Sequence, residues 1–277
     1  YVAEDPGSAW AKHCISVAGH VVFVAAREHG AANHDAIAFA DRLRRDRSLA
    51  LIQDDDASTP EGATDWLQHF AATRILHVRP GHSDDWGRVL RLASNRGLCV
   101  VFSGGGARAL AHVGALLAFE EKGISIDATA GTSMGAVIAA LVAQGRPSIE
   151  ILDGMRKYFV ENDPISDYTL PLVSLVRGER IAHAFDDVFA GASIENLWKP
   201  FFCISSDLTS RAKVIHRSGS VSLAVRASTA IPGVLPPVIA DGHVLVDGAI
   251  MDNFPTTIMR STRPGRIVGI DVSSSLA

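Results

Sequence analysis

Three short stretches of this sequence hold residue types that could do chemistry together. The first is "SGGGARALAH", Ser103 to His112, which follows the apolar run "LCVVF" and opens an Ala/Leu-rich segment. A strand, a glycine turn and a helix N-terminus offer backbone N–H groups and a positive dipole end to negative charge. A dinucleotide pyrophosphate and the transient oxyanion of an acyl transfer both fit such a cradle. Gly104, Gly106 and Ala109 satisfy the loose dinucleotide pattern, and Asp127 stands roughly 20 residues on, where a ribose-binding acid would sit. A tight structural turn would use the same glycines.

The second stretch is "GTSMG", Gly131 to Gly135, a G-x-S-x-G between a strand pattern and an apolar helix pattern. That is the context of a nucleophile elbow, where a sharp turn brings backbone close on both sides and exposes a serine hydroxyl. Gly131 and Gly135 leave room for that approach, and Ser133 then sits where the helix dipole favours developing negative charge. A serine N-cap in a glycine-rich turn is the plain alternative. The third stretch is "DGA", Asp247 to Ala249, after the apolar run Val244 to Val246. A carboxylate at a strand end is, taken alone, a turn residue as readily as a base. All three stretches, however, end a predicted strand. In open α/β sheets the carboxyl ends of strands form the ligand crevice, so these residues gather on one rim if their strands are neighbours. That coincidence favours catalysis.

Other reactive side chains read more simply. Arg108 in the first turn of a helix opposes the macrodipole by up to ~1 kcal/mol, so it wants an anion: an oxyanion, a lipid phosphate or a structural carboxylate. His112 falls within an apolar helix, and His216 and His243 on strand patterns; all three read as structural. Cys99 and Cys203 lie in apolar runs, and with Cys14 they read as reduced core thiols, an odd count without framework spacing. Asp54, Asp55 and Asp56 read as a solvated loop, since no His or second acidic cluster lies nearby.

The elements that must position these residues follow from periodicity. Residues 1–97 alternate strands ("VAGHVVFVAA", "LALIQ", "RILHV") with helices ("HDAIAFADRLRRD", "TPEGATDWLQHFA" with Thr59 as cap and Pro60 at its first position, "DDWGRVLRLASNR"), which predicts a small parallel α/β unit. Beyond it, "LCVVFS", "ISIDATA", "PFFCISSD", "AKVIHR", "HVLVDG" and "RIVGIDV" read as strands. Ala107–Lys122, "MGAVIAALVAQG" and "VSLAVRAS" read as helices, the first apolar nearly all round and therefore central. Residues Ile149 to Arg180 flank the core.

Composition sets the class. The 277 residues, 47% apolar and 20% charged, describe a globular chain of one large or two modest domains. A net charge of -4 without a basic block argues against a nucleic-acid partner. No apolar run reaches the ~18 residues of a membrane span, and no signal-peptide pattern is present. The chain starts without Met and stops just after a strand-like run, so it reads as an excised piece with domains expected beyond both ends.

Together the stretches resemble a known family. G-G-G-x-R, G-x-S-x-G and D-G-[A/G] are similar to the patatin-like phospholipases, and most closely to their neuropathy-target-esterase branch of lysophospholipases. The resemblance runs from about Leu98 to Val272 through "FSGGGARALAHVGAL", "DATAGTSMGAVIAAL", "IENLWKPFFCISSDLTS", "VRASTAIPGVLPP" and "DGHVLVDGAIMDNFP", with Asn253 and Pro255 fitting that branch. It implies a three-layer α/β fold with a central, mostly parallel sheet over residues 98–277, truncated at the C-terminus, and a small α/β segment over 1–97. It implies a serine lipid acyl hydrolase with Ser133 as nucleophile and Asp247 as base, and an oxyanion hole from Gly104, Gly105, Gly106 and Arg108. No metal and no cofactor are implied. The substrate is a phospholipid or lysophospholipid, met in the cytoplasm at a membrane surface, and cyclic-nucleotide-binding domains upstream are expected in the parent protein.

The residues can be asked whether they agree with a dyad. No His follows Asp247, against the Ser–acid–His order of α/β-hydrolases. Asp207 with His216, or Asp241 with His243, stays open as a triad on order alone. Leu170–Val176, Ala230–Val238, Trp198, Phe201 and Phe202 could line an acyl groove or fill the core. "STAIPGVLPPV" is expected near the active rim, against lipid. One departure stands out: the family has Gly after the basic residue, and this chain has Ala109, whose methyl is expected to crowd the loop. A weakened or inactive module with a lipid-binding or regulatory role is the alternative, and a nucleotide-binding oxidoreductase the remote third.

Overall fold

The computed structural model describes residues 2–5, 7–27, 38–39, 42, 46–67, 72, 74–162, 166–169, 173–262 and 265–273. The chain forms two compact units, Tyr1–Gly97 and Leu98–Ala277.

In the first unit, three parallel strands lie in the order β1 (His20–Ala26), β2 (Asp46–Ile52), β3 (Arg74–Val78). Helices α1 (Ala9–Val17), α2 (Ala63–Leu67) and α3 (Ser83–Ala93) accompany them. Three details depart from the periodicity reading. Helix α1 occupies residues to which the periodicity assigned no element, apart from Val17 at the strand's start, and the Ser8 hydroxyl caps it by accepting from Ala11 N–H at 3.0 Å. Helix α2 starts at Ala63 and not at Pro60. The Gln53 amide grips both the N–H and the carbonyl of Glu61 at 3.0 Å, and Gly62 turns at φ 85°, so the expected first turn is spent on a loop anchor. Strand β1 is half-buried, with Val24 exposed. The helix read over residues 34–46 lies largely outside the described residues. Asp54 pairs with Arg27 at 2.8 Å, and Asp55 accepts from Gly81 N–H at 2.7 Å, so two members of the acidic triplet hold the loop together.

The second unit is a mixed α/β fold around a seven-stranded sheet. Its strands are β4 (Gly97–Phe102), β5 (Ala128–Thr132), β6 (Phe201–Asp207), β7 (Ala212–His216), β8 (Val238–Ala240), β9 (His243–Asp247) and β10 (Gly265–Ile270), in the order β10-β4-β5-β6-β9-β8, with β7 also on β6. The central strands β4, β5 and β6 are parallel, as expected. The difference lies around β6, where β7 and β9 both pair antiparallel, and β8 pairs antiparallel with β9.

The helix at the centre of this unit is α5 (Met134–Ala143), every residue of which from Gly135 to Ala143 is buried. It has no charged residue to solvate and packs with Val100, Phe102, Phe185 and Phe201 in one core cluster. The preceding helix, α4 (Leu110–Glu121), was expected to be central and is not. Only His112, Val113 and Leu116 are buried along it. Its other apolar positions are mostly Ala and Gly, which have little surface to gain by burial. Helices α6 (Ser148–Arg156) and α7 (Glu179–Phe189) close the core with Ile151, Met155, Ile181 and Phe185, and α8 (Val221–Thr229) buries Val221, Ala224 and Val225. A short helix, α9 (Thr256–Ser261), precedes β10. Trp198, Phe201 and Phe202 are buried. All three cysteines are buried and none forms a disulfide; burial raises the Cys203 thiol well above its ordinary range.

Candidate active site

The ladder register of β6 brings the serine and the aspartate together. Cys203 and Ile204 pair with β5 and β7 at once, while Ser205 pairs with β7 and β9 at once. A strand has two flanks, so β5 and β9 share one flank of β6 and β7 takes the other. Running in opposite directions, β5 and β9 meet head-on: Thr132 stops opposite Ile204 and Asp247 stops opposite Ser205, the next rung. The expected rim of neighbouring parallel strand ends is replaced by two strand ends abutting on a third strand.

At that junction Ser133 Oγ donates to Asp247 Oδ2 at 2.7 Å, with the two residues 6% and 4% exposed. Ser133 has φ 54° and ψ -131°, a conformation that costs an L-residue about 1–3 kcal/mol and persists only where its surroundings impose it. The surroundings are explicit. A Cβ on Gly135 would overlap the carbonyl oxygens of Ser103 and Phe102, so the helix after Ser133 is pressed directly on the end of β4. The Ser133 N–H donates to Ser228 Oγ at 2.9 Å, and Thr132 Oγ1 donates to the carbonyl of Asp252 at 2.9 Å. Asp247 is fixed by its own N–H on the Ala230 carbonyl and by Ala249 N–H on its Oδ1, both at 2.8 Å. Burial raises the Asp247 carboxyl above the usual carboxylate range, against the bonds from Ala249 and Ser133.

The glycine turn stands against the serine. A Cβ on Gly104 would meet Asn253 Oδ1 and, at 3.1 Å, Ser133 Cβ. Asn253 clamps that residue twice: its carbonyl accepts Gly104 N–H at 3.1 Å and its Nδ2 donates to the Gly104 carbonyl at 3.3 Å. Gly104 N–H is thereby occupied, and so is Arg108 N–H, which donates to the Gly105 carbonyl at 3.1 Å. Both were expected as oxyanion donors; Gly104 spends its backbone hydrogen on Asn253 and Arg108 on the turn itself. Among the described residues the N–H groups of Gly105 and Gly106 have no such backbone acceptor; Gly106 has φ 55°, which turns the chain into the 3₁₀ turn Gly106–Ala109. The Arg108 side chain is exposed, donates to the Gly105 carbonyl at 3.4 Å and makes no ion pair among the described residues.

A family model described as patatin-like phospholipase matches residues 100–260. The chain belongs to the patatin-like phospholipase family. It is 39% identical over 232 residues to an uncharacterised NTE family protein of Mycobacterium bovis, covering 84% of this chain and 39% of that one. It is 34% identical over 212 residues to patatin-like phospholipase domain-containing protein 6 of Mus musculus, covering 74% of this chain and 16% of that one. With protein 7 of that series from Rattus norvegicus it is 28% identical over 308 residues, 99% of this chain and 23% of that one. The relatives place this patatin-like chain in the NTE-like branch, and it spans well under half the length of each.

Several side chains of the patatin-like unit sit elsewhere than their alternatives required. Asp127 is buried and staples Leu98, accepting from the Leu98 N–H at 2.8 Å while donating its own N–H to the Leu98 carbonyl at 2.8 Å, a staple at the start of two neighbouring strands and not a ribose site. Neither triad pairing forms among the described residues: Asp207 bonds His243 Nδ1 at 2.7 Å, and His216 Nε2 bonds Ser205 Oγ at 2.7 Å. Burial lowers His216 to about 4, so its ring is neutral near pH 7. His112 is buried with Nε2 on the Ser103 carbonyl at 3.0 Å, and its Nδ1 has no partner among the described residues. Ala109 is fully buried at φ -59°, ψ -18°, an ordinary helical conformation, so nothing in the backbone there calls for glycine. Ser228 was not singled out from the sequence. Its signal is a serine on the buried face of α8, in line with Val221, Ala224 and Val225.

Proposed function

We propose that this chain is a serine lipid acyl hydrolase of the lysophospholipase or phospholipase type, working through a Ser133–Asp247 dyad. The observation that carries the reading is the buried 2.7 Å bond from Ser133 Oγ to Asp247 Oδ2, with no imidazole between them. Membership of the patatin-like phospholipase family supports a lipid hydrolase.

In this mechanism Ser133 Oγ attacks the ester carbonyl carbon as its proton passes to Asp247 Oδ2. The raised carboxyl makes Asp247 a better base than an exposed aspartate, since a stronger hold on the proton is what abstraction requires. The carbonyl oxygen becomes an oxyanion facing the N–H groups of Gly105 and Gly106; one such donor is typically worth on the order of 3 kcal/mol in the barrier. The tetrahedral intermediate expels the alcohol, which takes the proton back from Asp247. Water then gives its proton to Asp247 and attacks the acyl-enzyme, and Ser133 leaves reprotonated. The segment after Ala230 borders the acid, since the Ala230 carbonyl holds Asp247 N–H, and Ile231 next to it is exposed. This supports contact between the "IPGVLPP" segment and lipid at a membrane surface. Among the described residues no helix is long and apolar enough to cross a membrane.

The test is labelling with a fluorophosphonate probe and hydrolysis of lysophospholipids and short nitrophenyl esters by the wild type and Ser133→Ala. Labelling that depends on Ser133, with ester turnover, is the expected result. A folded wild type that neither labels nor turns over either substrate would instead mark a non-catalytic lipid-binding module.

A further inference from the structure

The backbone N–H of Ser133 sits where neither neighbouring element supplies an acceptor. It lies past the last rung of β5 and before the first turn of α5, at a residue whose φ of 54° belongs to neither. The acceptor it finds is a side chain, Ser228 Oγ at 2.9 Å, on a residue with no exposed surface. Two residues further on, the carbonyl of Ala230 accepts the N–H of Asp247 at 2.8 Å. A three-residue segment at the end of α8 thus holds the main chain of both members of the dyad, Ser133 through a hydroxyl and Asp247 through a carbonyl. The helix behind it is anchored in the core by Val221, Ala224 and Val225.

We infer that Ser228 is a positioning residue that holds the nucleophile in its strained conformation and so keeps Ser133 Oγ on Asp247. This rests on the dyad proposed above. Removing the hydroxyl leaves the N–H of Ser133, a buried residue, without the acceptor it now has. The strained backbone then gains a reason to relax toward an ordinary φ, and that rotation carries Oγ away from Oδ2. The loss falls on the chemical step and not on substrate binding, because Ser228 presents no surface to a ligand. A serine that merely fills the core would instead affect melting temperature alone.

The experiment compares wild type, Ser228→Ala, Ser228→Thr and Ser133→Ala by fluorophosphonate labelling rate, by kcat and KM on a water-soluble nitrophenyl ester, and by melting temperature. In Ser228→Ala, kcat and the labelling rate should fall about 10- to 100-fold, about 1.4 to 2.7 kcal/mol at 1.36 kcal/mol per decade, with KM within about twofold. Ser228→Thr keeps an Oγ acceptor and should recover most of the loss. Hydrogen exchange of the Ser133 amide in the wild type reads the bond without any variant: it should be protected, and faster in Ser228→Ala. Wild-type labelling rates in Ser228→Ala, or an unprotected Ser133 amide in the wild type, overturn the inference. Failure of the dyad is a separate outcome, seen as labelling that survives Ser133→Ala, while the amide measurement still reports on Ser228.

Discussion

Asp247→Asn tests the proposed chemistry with the smallest change in shape. Ala249 N–H donates to Asp247 Oδ1 at 2.8 Å and needs an acceptor there, so the amide oxygen of Asn must take that side. The amide NH₂ then faces Ser133 Oγ at the position where Oδ2 now accepts at 2.7 Å. Ser133 is turned from donor to acceptor and its proton has no base. Loss of a general base typically costs 10²- to 10⁴-fold, so kcat should fall by about 3–5 kcal/mol in barrier terms, with KM little changed. Stability should move the other way. Burial raises the Asp247 carboxyl in the folded state, so its ionisation opposes folding once the pH exceeds the ordinary carboxylate value. The neutral amide removes that penalty: the variant should melt higher than wild type at pH 7, with the gap closing below about pH 4. The assays are nitrophenyl ester hydrolysis and thermal melts, with His243→Ala as control, since His243 bonds Asp207 and not the serine. Retention of most activity by Asp247→Asn together with its loss in His243→Ala would falsify the dyad.

Three further outcomes follow from the same geometry. In the wild type, kcat/KM should rise with pH as Asp247 loses its proton, with a midpoint above the ordinary carboxylate range; a rate still flat below pH 4 contradicts the raised carboxyl. Gly135→Ala forces a methyl onto the Ser103 and Phe102 carbonyls, where neither backbone can yield freely. Overpacking of this kind costs about 1–3 kcal/mol or more, so a melting temperature lowered by roughly 4–10 °C is expected, and an unchanged one refutes the close approach. Asp207→Asn removes a carboxyl that bonds from Ser210, Thr209 and His243 hold well below its usual range. That stabilisation is present above about pH 4 and lost on acidification, so the variant's deficit in melting temperature at pH 7 should shrink as the pH falls through the acid range.

The sequence was most legible where one element decides the outcome. The strands β4, β6, β7 and β9 and the helix α5 each follow from an apolar run closed by a turn residue, and the three chemical stretches sit at strand ends as expected. Legibility fails where a distant side chain intervenes. The Gln53 amide decides where α2 begins, and nothing in "TPEGATDWL" announces it. Gly104 and Arg108 look like oxyanion donors until Asn253 and the turn itself claim their hydrogens. Asp127 has the spacing of a ribose acid and the contacts of a strand staple. Ala109 looked like a lesion by comparison with a motif, yet its dihedrals are those any L-residue takes in a helix.

The deepest of these gaps concerns β9, because it bears on why Asp247 bonds Ser133 directly, with no histidine between them. Neighbouring parallel strands are spaced about 4.8 Å apart, so a carboxylate ending one of them stands beside the serine and not in line with it. An antiparallel strand on the same flank of a shared neighbour arrives from the opposite direction instead. Its last residue meets the last residue of the serine strand across one rung, a rise of about 3.3 Å. Ile204 and Ser205 are consecutive, and they carry Thr132 and Asp247. The short reach that the proposed direct proton transfer needs is therefore a property of topology, set by which flank of β6 receives β9. Gly248 lies so close to the Ile204 carbonyl and to Thr132 Cγ2 that a side chain there would push the two strand ends apart.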